Sequence, residues 1–388
     1  MNVVLLSPHF PAHQCRYGAA LKRHGINVIG LGDEPLPLLT PEQRHALSAY
    51  EQVHDMHDDE AMLRACGQIT ADHGKIHRIE SLNEHWLESE ARLRTDFNVT
   101  GIHTSGIQNI KEKSAMKACF QEHGIPCARG RVVDTHTEAL DFAQEVGYPL
   151  VLKPNVGVGA SHTYKIENEA ELLSTLAANG DHQNILEEYI AGKICSYDGL
   201  TDREGNIVWQ GAMIYSNGVM EVVNHDLHVY YYTLREIPAE LERMGRELVK
   251  AYDVRERFFH FEFFQQPDTN AYIALEVNMR PAGGPSLDMY NFTSNIDLYQ
   301  EWANVVATNT FQATDATPEY FCGYVGRKHN KAYALSHAEI IHHYGEYIVH
   351  VAEHPPLFRR AMGDYFYLIR MAHEEKLLEV SEAIHRAP

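Results

Sequence analysis

The chain has 388 residues, enough for two or three domains rather than a single core. Its 44% hydrophobic and 22% charged content is that of a globular protein. With 33 Lys plus Arg against 53 Asp plus Glu, the formal charge of −20 argues against nucleic acid or an anionic membrane as partners. Any phosphate site must then be a local basic pocket helped by a metal.

Six cysteines without a CxxC pair or zinc-like spacing point to reduced structural thiols, and the 25 histidines scatter without an HExxH pattern. The opening MNVVLLSPHF lacks the basic region and long apolar core of a signal peptide. No 18-residue apolar run follows it, so a cytoplasmic protein is expected.

In chain order, VVLLS (residues 3–7) predicts a strand, HQCRYGAALKRHG a helix stopped by Gly25, and INVIGLG a second strand. DDEAMLRACGQITADHG, KIHRIES and NEHWLESEARLRTDF continue as helix, strand and helix. Residues 1–108 therefore predict an open parallel α/β sheet. SPHFPAHQ stands where GxGxxG would follow the first strand, which argues against a dinucleotide-binding Rossmann domain.

A second unit, residues 109–310, opens with KEKSAMKACFQEHGIP, a helix ended by Gly124. In its first part, residues 109–185, a helix TEALDFAQEVG leads into the strand LVLK, a glycine-bearing turn PNVGVGASHTY and a helix NEAELLSTLAANG. Residues 186–310 are β-rich: ICSYDGLTD, IVWQGAMIY, FFHFEFFQQ and AYIALEVNM. Residues 311–388 mix short strands with helices and predict a smaller C-terminal α+β lobe. No Pro/Ser-rich linker separates the units, so close packing is expected.

FFHFEFFQQ and AYIALEVNM, joined by PDTN, predict a hairpin. A three-residue loop, Asp268 to Asn270, pairs Glu262 with Glu276. In an extended ALEVNMR, Glu276, Asn278 and Arg280 share one face while Leu275, Val277 and Met279 share the other. Opposed carboxylates destabilise a sheet unless a cation lies between them. With Asn278 they form an oxygen set suited to Mg2+. The alternative is a solvated hairpin face, against which the apolar flanks speak.

Lys153 ends LVLK just before the loop Asn155 to Thr163, where Gly157 and Gly159 let backbone amides approach phosphate and Ser161 and Thr163 offer hydroxyls. No GK[ST] follows, so this is not a Walker A loop. An ordinary hairpin turn accounts for it equally well. Lys113 and Lys117, four apart on a predicted helix, read as a solvated face unless other evidence supports them. ILEEYIAGK, with Glu187 and Glu188, fits a purine-facing backbone or a plain sheet edge.

Taken together, a lysine-bearing helix, VLKPNVGVGAS, LEEYIAG, FEFF and EVNMRPAGG follow one another in an order that resembles the ATP-grasp superfamily over residues 109–290. The resemblance implies a grasp fold of two α+β subdomains behind the N-terminal sheet, with ATP and two Mg2+ ions (or Mn2+) as cofactors. It places Lys113 and Lys153 on ATP phosphates beneath the 155–163 loop, and Glu187, Glu188 and Ile190 beside adenine. Glu262, Glu276 and Asn278 would hold metal, with Arg280 on the transferring phosphate. Relatives often carry G-x-E-x-S after the adenine segment, whereas GKICS has Ile194 in the acid's place, which puts a nucleotide-sugar contact in doubt.

For the second substrate, NHDLHVYYY and PAGGPS pass near this site and offer His225, His228, Arg235, Gly283 and Gly284. His228 and Tyr230 to Tyr232 fit a structural role as well. The resemblance implies a ligase for a small-molecule carboxylate and an amine, with amino acids as a candidate class, and admits a homodimer. A bicarbonate-activating enzyme, a kinase for a hydroxyl group and an ATP-binding module without catalysis are the alternatives.

Overall fold

The computed structural model describes residues 1–157, 162–179 and 183–388. Strands β1 (Asn2–Leu6), β2 (Asn27–Gly32), β3 (Ala49–Gln52) and β4 (Arg78–Glu80) form a parallel sheet in the order β3-β2-β1-β4. β1 is apolar from Val3 to Leu6 because both faces are covered there. Val3 and Leu5 enter a core with Tyr17 and Trp302, whereas Val4 and Leu6 pack with Met56, Met62 and Ile69. β3 was not expected, since AYEQ is a half-exposed edge without an apolar run. The helix expected over NEHWLESEARLRTDF starts only at Leu87. Ser81 to Trp86 are thereby left as a loop beyond the C-terminal end of β4, the edge at which open α/β sheets place ligands.

A second, antiparallel sheet contains β5 (Gly130–Val133), β6 (Leu150–Pro154), β7 (Tyr164–Ile166) and β8 (Asn184–Glu188) in the order β5-β8-β6-β7. Helices His136–Val146 and Glu169–Ala178 accompany it, and Phe142, Leu150, Leu152, Leu172 and Leu186 share its core. A capping box between Thr135 and Glu138 starts the first of these helices.

The third sheet has eight antiparallel strands: β9 (Lys193–Thr201), β10 (Ile207–Tyr215), β11 (Tyr230–Thr233), β12 (Phe258–Gln265), β13 (Tyr272–Asn278), β14 (Phe321–Arg327), β15 (Ile348–Glu353) and β16 (Tyr365–Met371). Their order is β13-β12-β9-β10-β11-β14-β16-β15, so residues 311–388 continue the central sheet. One core joins Val3 and Tyr17 of the N-terminal unit to Trp209, Trp302 and Tyr324. Ion pairs Glu90–Arg257 (3.0 Å) and Arg78–Glu256 (2.9 Å) tie the N-terminal sheet to the segment entering β12. The molecule thus mixes α/β and α+β architecture, with a parallel N-terminal sheet and two antiparallel sheets.

The β12/β13 hairpin pairs Glu262 with Glu276, by a route different from simple counting. Gln265 faces Tyr272, which leaves a six-residue loop rather than three, and the Gln266 amide donates to the Ala271 carbonyl at 2.9 Å. That register alone would offset the acids. A bulge beyond Phe263–Ala274 adds one residue to β13 and brings Glu262 opposite Glu276. It also reverses the alternation of β13, so Tyr272 and Ala274 share the core with Val277 and Met279. Leu275, expected on that apolar face, is displaced and half-buried.

Candidate active site

Two adjacent rungs of the large sheet build the acidic half of the site. Ser196, Glu262 and Glu276 stand in register across β9, β12 and β13, and Asp198, His260 and Asn278 form the next rung. Residues two apart on a strand share a face, so all six project to the same side. Removal from water, then the Glu84 carboxylate, push the Glu276 carboxyl up to about 7, with Glu262 adding to the effect and Lys113 opposing it. Glu276 thus sits where both burial and neighbouring carboxylates oppose its charge.

Between the rungs, His260 Nδ1 lies 2.5 Å from Asp198 Oδ1 and Nε2 lies 3.0 Å from Glu262 Oε1. Asp198 also accepts from Ser196 Oγ at 2.6 Å and from the Tyr290 hydroxyl. Burial opposes charge on the imidazole, but Asp198 and Glu262 outweigh it and raise the pKa to about 9, so both nitrogens donate.

Three lysines face this cluster from the second sheet and the helix Lys113–Glu122. Lys153 Nζ, at the end of β6, lies 2.9 Å from Glu187, whose other oxygen lies 3.1 Å from Lys117. Burial alone would raise the Glu187 carboxyl, but the two ammonium groups hold it below its ordinary range. The Glu187 side chain is therefore already engaged. The amides of Glu188 and Tyr189 donate to the carbonyls of Arg129 and Pro149, and Ile190 is the buried residue that follows. Lys113 donates to the Gly157 carbonyl at 3.2 Å. Burial lowers its pKa while Glu276 pulls the other way, which places Lys113 in the same electrostatic field as the acids.

The Arg280 guanidinium is held by Glu84 at 2.9 Å, by Asn278 Oδ1 at 3.3 Å and by the Pro281 carbonyl at 2.9 Å. Burial raises the Glu84 carboxyl less than Arg280 and Lys111 lower it, so Glu84 remains a carboxylate. Sequence reasoning missed Glu84. The available signal was its place just past a strand of a parallel sheet. A cleft of ≈ 380 Å³, lined by His57, His85, Trp86, Lys111, Val156 and Gly157, opens beside it.

Other expected residues lie elsewhere. Arg235 donates to the carbonyls of Pro318 (3.4 Å) and Ala372 (3.3 Å) and lines a separate cleft with Trp209, Gln210 and Arg246. The structure does not bring it to the acids. His225 is exposed at the end of the helix Val219–His225, and His228 stacks on His385 at 4.5 Å. Gly283 is exposed, and a side chain there would meet open space. Gly284 has φ +61°, and a Cβ there would come 3.0 Å from Met362 Cε and 3.4 Å from the Tyr231 hydroxyl. Ile194 pairs with Phe264 on the β9/β12 seam. Gly159 and Ser161 lie outside the described residues.

Among the described residues, no three His, Cys, Asp or Glu side chains gather as a closed metal site. Glu262, Glu276 and Asn278 instead offer two carboxylates and an amide, the open oxygen set that Mg2+ completes with water and substrate phosphates. Like charge on facing, water-poor carboxylates is what such a cation would relieve.

Residues 112–285 match the family model described as the carbamoyl-phosphate synthase L chain, ATP binding domain. The fold is that of an L-amino acid ligase from Bacillus licheniformis, at a TM-score of 0.76 and 17% identity, over 99% of this chain and 96% of that one. N5-carboxyaminoimidazole ribonucleotide synthetase from Thermus thermophilus aligns at 0.72 and 16% identity, over 100% and 99% of the two chains. The biotin carboxylase domain of Hydrogenobacter thermophilus 2-oxoglutarate carboxylase aligns at 0.71 and 17%, over 98% and 89%. Residues 112–285 thus carry the match to that ATP-binding domain family, and the fold of the chain as a whole is shared with these ligase and carboxylase structures.

Proposed function

We propose that the chain is an ATP-dependent, ADP-forming ligase that activates a small-molecule carboxylate as an acylphosphate and joins it to an amine. The observation that carries this reading is the opposed pair Glu262 and Glu276, with Asn278 and Arg280 at the same strand end and Lys113 and Lys153 close enough to act on the Glu276 charge. A carboxylate is a poor electrophile. Transfer of the γ-phosphoryl group turns its oxygen into a leaving group, and an amine then attacks the carbonyl carbon and releases phosphate.

Little covalent work falls to the protein in such a transfer, so positioning and charge neutralisation dominate. Lys113 and Lys153 take phosphate oxygens, Glu187 orients Lys153, and the chain at Ile190 borders the base. Glu262, Glu276 and Asn278 hold Mg2+, which when bound neutralises charge on the phosphates. Arg280, oriented by Glu84 and Asn278, meets the phosphoryl group in transit. The L-amino acid ligase fold supports amino acids as the substrate class.

A second reading is activation of bicarbonate, favoured by the carbamoyl-phosphate synthase description of the matching model and by the biotin carboxylase fold. A phosphate-release screen over pairs of amino acids and small carboxylates, with bicarbonate as a separate arm, tests both. Ligation requires phosphate release only with acid and amine together, a hydroxylamine-trapped intermediate and a condensed product by mass spectrometry. Release with bicarbonate in place of an organic acid transfers the assignment to the second reading. A stable phosphorylated product refutes both.

A further inference from the structure

The acids of the proposed metal site are backed by a train of buried polar groups that the phosphoryl-transfer chemistry does not itself require. Asp198, His260 and Tyr290 are only 2%, 3% and 3% exposed, so their polar groups rely on one another for hydrogen bonds. Resting on the metal reading above, we infer that His260, held by Asp198 and Tyr290, is a positioning residue that fixes the Glu262 carboxylate for the divalent cation bound with nucleotide.

The strand register makes this arrangement. His260 and Glu262 lie two apart on β12, so the imidazole stands directly beside the carboxylate, and Asp198 pairs with His260 across β9. The ring spans the gap, with one nitrogen 2.5 Å from Asp198 Oδ1 and the other 3.0 Å from Glu262 Oε1. Tethering Oε1 leaves the carboxylate's second oxygen for a cation. Without the tether, repulsion from Glu276 on the facing strand would swing the flexible Glu262 side chain away.

The far end of the train is also built for the purpose. Gly211 pairs with Asp198 on the other side of β9, and a Cβ at 211 would come 2.4 Å from Tyr290 Cε1. The missing side chain gives Tyr290, from the helix Ser286–Ser294, room to reach Asp198 with its hydroxyl. Ser196 closes the other approach to the same carboxylate. Hydrogen-bond partners that orient a ligand typically change metal affinity by roughly 10–100-fold when removed.

The test measures Mn2+ binding to the full chain with saturating ADP, by electron paramagnetic resonance, for wild type and the variants His260→Leu, His260→Gln, Asp198→Asn and Tyr290→Phe. Affinity should fall by roughly 10–100-fold in His260→Leu and less in Tyr290→Phe. His260→Gln, whose amide still donates to Glu262, should recover part of the loss. The Michaelis constant for Mg2+ should rise while kcat at saturating Mg2+ largely returns, a split that a purely structural role does not produce. Tyr290→Phe keeps the ring and carries the test if His260→Leu fails to fold. Wild-type affinity within about twofold in every folded variant overturns the positioning role alone. A wild-type chain that binds no Mn2+ with ADP overturns the metal reading and this inference with it.

Discussion

Gly211→Ala isolates the packing that supports the site. The new Cβ would lie 2.4 Å from Tyr290 Cε1 and 3.0 Å from Cδ1 and Cζ, where ordinary contact begins at 3.4 Å. The ring must therefore retreat by 3.4 − 2.4 = 1.0 Å, in a pocket where the Trp209 ring centroid already lies 4.8 Å away. Overpacking of this kind costs about 1–3 kcal/mol. Pulling the hydroxyl from the Asp198 carboxylate adds about 1.5–3 kcal/mol. Replacing a strand glycine returns about 0.5–1 kcal/mol of chain entropy. The net expectation is a loss of about 1.5–5.5 kcal/mol, read from urea unfolding followed by tryptophan fluorescence. Nucleotide-dependent Mn2+ affinity should fall with it. Gly67→Ala, in an exposed helix position with open space at its Cβ, is the control and should stabilise by about 1 kcal/mol. A Gly211→Ala chain within about 0.5 kcal/mol of wild type, with Mn2+ binding intact, would refute the claim that this glycine makes room for Tyr290.

Glu276→Gln should abolish ATP turnover while leaving the strand in place; near-normal phosphate release would remove Glu276 from the metal set. Lys153→Ala should raise the nucleotide Michaelis constant strongly, by about 100-fold if one charge-assisted phosphate contact of roughly 3 kcal/mol is lost, and an unchanged value would remove Lys153 from the phosphate site. Burial holds both His354 and His385 down to about 4, so between pH 6.5 and 4 the unfolded chain takes up protons that the folded chain refuses. Stability should consequently fall as pH drops through that window. The slope of urea midpoint against pH should flatten in His354→Phe with His385→Phe, and an unaltered slope would show that these rings are not the source.

The parts of the site that were legible in the sequence are those set by local geometry. Alternation along β13 put Glu276 and Asn278 on one face, and hairpin signals brought FFHFEFFQQ against AYIALEVNM. The pairing of Glu262 with Glu276 is present, although a longer loop and a bulge reach the alignment that counting assigned to a short one. Bulges escape such counting because they depend on how two strands twist in a finished sheet. Leu275 was misplaced for the same reason. β3 was overlooked because its pairing with β2 rests on backbone hydrogen bonds that any side chains permit.

Glu84 and the Asp198–His260 pair were not legible. Glu84 meets Arg280 across 196 residues of chain, and Asp198 meets His260 across 62. No periodicity or turn signal encodes which strand becomes the neighbour of which. Arg235 looked available beside the tyrosines of β11, yet the strands from 311 onward joined the same sheet and their flanking carbonyls took its guanidinium.

By itself, then, the sequence determined which segments become helix and strand, which residues share a face, and the order of motifs that resembles the ATP-grasp superfamily. Those properties depend on neighbours a few residues apart. Only the tertiary structure decided that β9 lies beside β12, that the N-terminal loop delivers Glu84 to Arg280, and that Gly211 admits Tyr290 to Asp198. Strand order is set by burial of whole faces, and it assembled the charges and the polar groups behind them into one site.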